Sequence, residues 1–216
     1  RLRYSSTRDF GRALERALRR SGVPMAYSAG FHPHPKISYA NGAATGAASE
    51  AEYFEISVTE RVDPDALATA LDAALPDGLD IVSVVEAQPG ALADRLQASR
   101  WLLEFPGVEL ADLEQAVAGF LAQERVEVSR MFKKGVKSYD AREPVIRAET
   151  GLSDEGCAIL TMVVRHTTPA VRPDDVLSAI TAATSFAPLR SPKATRLAQG
   201  IWSSETESVA DPLAAD

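Results

Sequence analysis

A chain of 216 residues, 45% hydrophobic and 25% charged, has room for one large domain or two small ones, each able to bury a core. No apolar run approaches the roughly 18 residues of a membrane span and no signal-peptide core opens the chain, so a cytoplasmic protein without a membrane partner is expected. The net charge of −7 is unevenly spread: residues 1–36 carry seven arginines and one lysine against Asp9 and Glu15, leaving fifteen basic residues against twenty-eight acidic in the remainder.

The chain begins at Arg1 rather than Met, so an N-terminal piece is expected to be missing. Leu2-Arg3-Tyr4-Ser5 reads as the tail of a first strand. Ser6 or Thr7 is suited to cap the helix that follows, with Asp9 in its first turn, where a carboxylate favours the dipole. That helix runs to about Arg20 on an apolar stripe of Phe10, Ala13, Leu14, Ala17 and Leu18. Arg8, Arg12, Arg16 and Arg20 recur every four residues along a neighbouring face, with Arg19 beside them. Gly22 and Pro24 end it.

The stretch from Tyr27 to Tyr39 is the least generic in the chain. Pro33 and Pro35 push His32 and His34 toward extended geometry, and Gly30 supplies a turn, which predicts a stiff, displayed loop feeding a strand at 36–39. A Gly/Ala-rich turn at 41–49 leads to a strand at 53–58, a helix at 65–75 opened by Pro64, and a strand at 79–85. That order is the β-α-β-β-α-β of a ferredoxin-like unit over residues 1–90.

Residues 99–202 repeat the order with an extra strand. Strands are expected at 101–105 and 126–132 around a helix at 110–121, then strands at 144–148 and 158–165 around a turn at 151–156. Pro173 opens a helix over 174–183, and residues 195–202 close as an extended segment. The fold class is therefore α+β, two ferredoxin-like units in tandem, with residues 203–216 as a disordered acidic tail. The single Cys157 excludes an intrachain disulfide, a zinc ribbon and a self-contained iron–sulfur cluster, and it reads as a small core residue opening an apolar run.

Among motifs, His32 and His34 offer two imidazoles, but no nearby Cys, Asp or Glu completes a ligand shell, so neither metal nor cofactor is expected. The arginine helix matches a phosphate or RNA groove, because guanidinium forks pair with phosphate oxygens. Its plain alternative is a solvated face with Arg12 or Arg19 paired to Glu15. A second basic run holds Arg130, Lys133, Lys134, Lys137, Arg142 and Arg147, and a third holds Arg190, Lys193 and Arg196. Lys133-Lys134-Gly135-Val136-Lys137 reads as a phosphate contact or simply a hairpin tip. Glu50 and Glu52 flank a strand entry, where pairing with a base such as Arg3 is the simpler role. No Ser-His-Asp arrangement, P-loop or GxGxxG specifies a reaction.

Arg16-Ala17-Leu18-Arg19-Arg20-Ser21-Gly22-Val23-Pro24, followed by Ser28-Ala29-Gly30-Phe31-His32-Pro33-His34-Pro35-Lys36-Ile37-Ser38, resembles the uncharacterised radical-SAM-linked bacterial domain. Gly46, Ser49-Glu50-Ala51-Glu52-Tyr53, and Lys133-Lys134-Gly135 with Asp140 and Arg142 extend the resemblance over most of the chain. Such proteins occur fused to, or encoded beside, radical SAM enzymes. The resemblance thus implies an accessory domain in RNA or tRNA-related chemistry with a radical SAM protein as a partner, and leaves its activity unspecified; separately, no catalysis by this chain itself is expected. Where that family usually reads Ser-His, this chain has Ser6-Thr7, with Thr7 able to serve as a cap but not as a catalyst.

The expected function is RNA binding, of tRNA or rRNA, on a basic face built from the first helix, the loop at 30–36 and the 133–137 hairpin. Arg8, Arg12, Arg16, Arg20, Lys36, Lys133, Lys134, Lys137 and Arg142 would meet phosphates; Phe31 or Tyr39 would stack on a base, with His32 and His34 beside them. Two other classes fit the same residues. One is an enzyme on a small or nucleotide-like substrate, with Asp9, His32, His34 and Glu52 converging in a cleft. The other is an interaction module that docks a radical SAM partner without touching nucleic acid.

Overall fold

The computed structural model of this protein describes Tyr4 and residues 7–214. In chain order the elements are α1 (Thr7–Arg20), β1 (Ile37–Ala40), β2 (Ala48–Ser49), β3 (Tyr53–Ile56), α2 (Pro64–Ala74), α3 (Leu92–Arg95) and β4 (Ala98–Phe105). Then come α4 (Leu110–Leu121), β5 (Glu127–Phe132), β6 (Gly135–Asp140), β7 (Val145–Leu152), β8 (Ala158–Arg165), α5 (Pro173–Thr184), β9 (Lys193–Ser203) and β10 (Ser208–Ala210). They divide into two units, the first built from residues up to Ala47 with Glu52–Asp94, the second from Ala48–Ala51 with Arg95–Ala214.

In the first unit the helical stripe predicted from spacing is the buried one: Leu14, Ala17 and Leu18 of α1 meet Leu67 and Leu71 of α2 and Met25, with Phe10, Ile37, Phe54 and Ile56 packed around them. Asp63 starts α2 by accepting a hydrogen bond from the Asp65 N–H (3.1 Å), and Pro64 loses nothing at a position whose N–H has no helical acceptor. β1 and β3 pair antiparallel, Ile37 against Ile56 and Ala40 against Tyr53. The expected strand at 79–85 does not form. Ile81 and Val84 pack onto the core while Val82 is exposed, and the Ile81 N–H goes to the Asp72 carboxylate (2.8 Å) instead of to a neighbouring strand. The expected first strand at Leu2, Arg3 and Ser5 and a cap at Ser6 lie outside the described residues, as does the Thr7 side chain; Tyr4 is in no strand. The described residues form a mixed α+β fold with several antiparallel sheets, and the described part of the first unit has a two-stranded one.

The second unit centres on a six-stranded sheet in the order β10-β9-β4-β8-β7, with β2 lying parallel to β9. β4 supplies the spine because Trp101, Leu103 and Phe105 alternate onto one face and are buried. α4 presents Leu113, Ala116, Val117 and Phe120 at helical spacing, packing on α5 and on β7 and β8. Asp175 stabilises the α5 start by accepting from the Arg172 N–H (2.8 Å). β5 and β6 form a separate hairpin, so the 133–137 stretch includes a strand as well as a tip. Gly151 and Leu152, expected in a turn, continue β7 opposite Ile159 and Ala158. The tail expected to be disordered from residue 203 instead folds back as β10, Val209 opposite Trp202. Gly200 permits this, since a side chain there would collide with the Ala210 backbone. No described helix is long and apolar enough to cross a membrane.

Candidate nucleic-acid interface

α1 buries its apolar stripe and thereby turns its arginines outward: Arg8, Arg12, Arg16, Arg19 and Arg20 are all exposed. Two of the five are engaged. Arg19 pairs with Glu15 (3.7 Å), and the Arg20 guanidinium donates to the Ala74 carbonyl at the end of α2. Among the described residues, Arg8, Arg12 and Arg16 form no ion pair. Like charges four apart on a helix repel by roughly 0.2–0.5 kcal/mol per pair, and Arg8 also stands near the positive end of the helix dipole. Such a row has a cost in the free protein that a bound anion would relieve.

The loop after α1 is a pinned hairpin. Tyr27 pairs with Pro35, the Ser28 N–H donates to the His34 carbonyl (2.8 Å), and the His34 N–H donates to Ser28 Oγ (3.0 Å). Lys36 N–H donates to the Ala26 carbonyl (2.9 Å) below it. Phe31, His32 and His34 are exposed at the tip, and the Lys36 side chain is exposed at the base. Tyr39, 38% exposed, also packs against α1. Its ring meets Phe10 edge-on (6.0 Å between centroids) and its hydroxyl lies over Gly11, where burial and then the charge of Glu15 push it above the ordinary tyrosine range. From β1 it packs against Phe10 and Gly11 of α1.

Asp9 is exposed in the first turn of α1, and Glu52 accepts from the Ala43 N–H (3.3 Å) in the turn before β3. Among the described residues no three His, Cys, Asp or Glu side chains are grouped to hold a metal ion.

In the second unit, one face of the β5–β6 hairpin carries Arg130, Phe132, Lys137 and Tyr139. Arg130 is bound to the Asp175 carboxylate, donates to the Ala170 carbonyl (3.0 Å) and stacks over Phe132 (4.7 Å) and Tyr139 (5.3 Å). Burial, with the Asp175 carboxylate alongside, pushes the Tyr139 hydroxyl up to about 12. Lys133, Lys134 and Lys137 remain exposed at the hairpin end, Lys137 lying 5.6 Å from the Phe132 ring, next to exposed Met131 and Val136. Arg142 is withdrawn from the surface set. Its guanidinium donates to the carbonyls of Leu121 (3.2 Å) and Val145 (3.1 Å) and lies over Phe120, closing the end of α4. Burial disfavours the Asp140 carboxylate, but hydrogen bonds from the Arg142, Val126 and Glu143 N–H groups outweigh it and hold Asp140 below the usual carboxylate range.

Sequence reasoning missed a buried polar cluster. Ser99 Oγ lies 2.7 Å from His166 Nε2, and His166 Nδ1 lies 2.6 Å from the Leu96 carbonyl. A carbonyl only accepts, so Nδ1 carries the proton and Nε2 accepts from Ser99. Burial lowers the His166 pKa, as does the charge of Arg196, against the opposing Leu96 hydrogen bond. Ser99 is only 2% exposed and His166 is half-buried, so the pair joins the core to its edge. Residues 67 apart in sequence carry no local signal of this meeting; the register that places Ala98 opposite Arg165 creates it. Cys157 is half-buried at the β7–β8 turn, its N–H donating to Ser153 Oγ (3.1 Å). A cavity of about 620 Å³ in this unit, lined by Glu109, Asp112, Phe186 and Leu189 among others, holds none of the expected site residues.

No curated protein matches this chain. The sequence model of a bacterial family described as "Uncharacterized protein conserved in bacteria (DUF2344)" matches residues 1–173, four-fifths of the length, and the chain belongs to that family.

Proposed function

We propose that this protein is an RNA-binding accessory domain that grips tRNA or rRNA by its phosphates and presents it to a partner enzyme, without catalysing the reaction itself. The resemblance to the radical-SAM-linked domain is what points to a radical SAM enzyme as that partner. The observation that carries the reading is the row of Arg8, Arg12 and Arg16, exposed on α1 without ion pairs among the described residues. Lys36 in the same unit adds a further exposed cation. Lys133, Lys134 and Lys137 supply a second set on the other unit, which we read as ferredoxin-like from its strand order β9-β4-β8-β7 and the helices α4 and α5 between those strands. The net charge of −7 does not oppose this, because surface charges beyond about 8 Å are screened at physiological salt and the local row governs contact with phosphate.

Binding of a fluorescent total-tRNA pool and of a mixed-sequence single strand, from low to physiological salt, tests the reading. Affinity should fall log-linearly with salt. For the single strand the slope should become shallower by about 0.7 for each phosphate that an Arg12→Ala/Arg16→Ala/Lys36→Ala variant no longer neutralises. Absence of binding even at low salt would sink it.

A further inference from the structure

We propose that the tip of the 27–36 loop is a stacking finger for an unpaired nucleotide, so that the RNA this protein takes is single-stranded or looped-out at the point of contact. The inference deepens the RNA-binding reading above and rests on it. Phe31 is 103% exposed, as open to water as in an extended peptide, and so forgoes the hydrophobic free energy that burial would return. A phenyl ring so placed contributes nothing to the core. Yet the loop that carries it is held firmly, by the Ser28–His34 backbone and side-chain hydrogen bonds, the Tyr27–Pro35 bridge and the fixed φ angles of Pro33 and Pro35. Gly30 adopts φ +121°, in space where a side chain would meet nothing, so glycine is needed there for the turn that projects Phe31. A fully exposed aromatic ring carried on a pinned backbone is preorganised to meet a flat apolar surface, since little backbone entropy remains to be lost on contact.

Two surfaces fit a bare ring: the face of a nucleobase and an apolar pocket on a protein. Charge decides between them. From Arg16 to Ser49 the chain contains no Asp or Glu, while it holds Arg16, Arg19, Arg20 and Lys36, with exposed His32 and His34 flanking Phe31. A ring embedded in thirty-four residues without a carboxylate is matched to a ligand whose flat faces are joined by anions. In a continuous A-form duplex every base face is covered by its neighbours, and the deep major groove admits no side chain. Only an unstacked base in a single strand, loop or bulge presents a face to Phe31.

The test compares the intact chain with Phe31→Ala and Phe31→Trp on three fluorescent RNAs of equal phosphate number: a 2-aminopurine-labelled single strand, a stem with that base looped out, and a blunt duplex. Phe31→Ala should weaken the first two by between about fivefold and a hundredfold without changing the salt slope. It should leave the duplex unaffected, and Phe31→Trp should restore binding and 2-aminopurine quenching. Salt-dependent RNA binding that is indifferent to Phe31→Ala, or lost equally for duplex and single strand, would overturn the stacking finger while leaving the phosphate-binding reading standing. No binding to any of the three at low salt would overturn both.

Discussion

Among the described residues, the guanidinium groups of Arg8, Arg12 and Arg16 on α1 face solvent without an ion pair, whereas in the second unit Arg130, Arg142, Arg147 and Arg196 are each held by a neighbour. Arg130 has Asp175, Arg142 has two carbonyls, Arg147 has Glu149 and Glu207, and Arg196, 3% exposed, meets Ser49 Oγ (3.2 Å) and the Trp101 ring. Lys193 of the third basic group likewise pairs with Glu104 (2.7 Å). As sequence, these are all clusters of positive charge. As structure, the α1 row is a surface whose charge meets no ion pair among the described residues, while Arg130, Arg142, Arg147 and Arg196 are struts. The difference shows that a basic run points to an anionic ligand only after its internal partners have been subtracted. What remains of the second run is the lysines, whose flexible ammonium groups reach past the hairpin into water.

The contrast breaks if the struts can be removed freely. Arg130→Met should cost about 3 kcal/mol in urea denaturation, because the Asp175 carboxylate, 9% exposed, would be left buried with its main partner gone. A loss below about 1 kcal/mol would mean that Arg130 is no strut. The next effect is set by pH. His166 is held below the ordinary histidine range of about 6.5, so the unfolded chain binds the proton more readily. The stability it supplies is complete above about pH 6.5 and declines as pH falls from there toward its lowered folded value. Asp140, also depressed, contributes above the ordinary aspartate value of about 3.9 and loses that contribution as pH falls through its lower folded value. Both lie in the second unit, so its unfolding midpoint should fall with acid in two steps. His166→Gln should flatten the upper one, and an unchanged pH profile in that variant would contradict the assignment. The smallest effect belongs to the surface row. Arg12→Ala/Arg16→Ala should leave the urea midpoint unchanged or raise stability by no more than about 0.5 kcal/mol, through relief of like-charge repulsion. A clear destabilisation would show these arginines to be struts after all.

The amphipathic periods of α1, α2 and α4 and the proline at the start of α5 were legible because each follows from neighbours within a turn or two of the chain. The exposure of the arginine row follows directly, since a helix that buries Leu14, Ala17 and Leu18 has to turn Arg8, Arg12 and Arg16 away. The displayed loop was legible for the same reason: Pro33 and Pro35 fix their own φ angles, and Gly30 is free to take the positive φ the turn needs. Other features depended on partners distant in sequence. Residues 79–85 have a strand's composition, but a strand is a pairing, and here Asp72 takes an N–H and the core takes Ile81 and Val84. The acidic tail has a disordered segment's composition, yet Gly200 leaves space for β10 against β9. Tyr39, Arg142 and the Ser99–His166 pair acquired their roles only from packing across many intervening residues. By itself the sequence determined where the long helices form and which charges cluster, because those follow from short-range preferences and spacing. Only the tertiary structure decided which charges remain free, because burial and ion pairing depend on what the fold brings alongside.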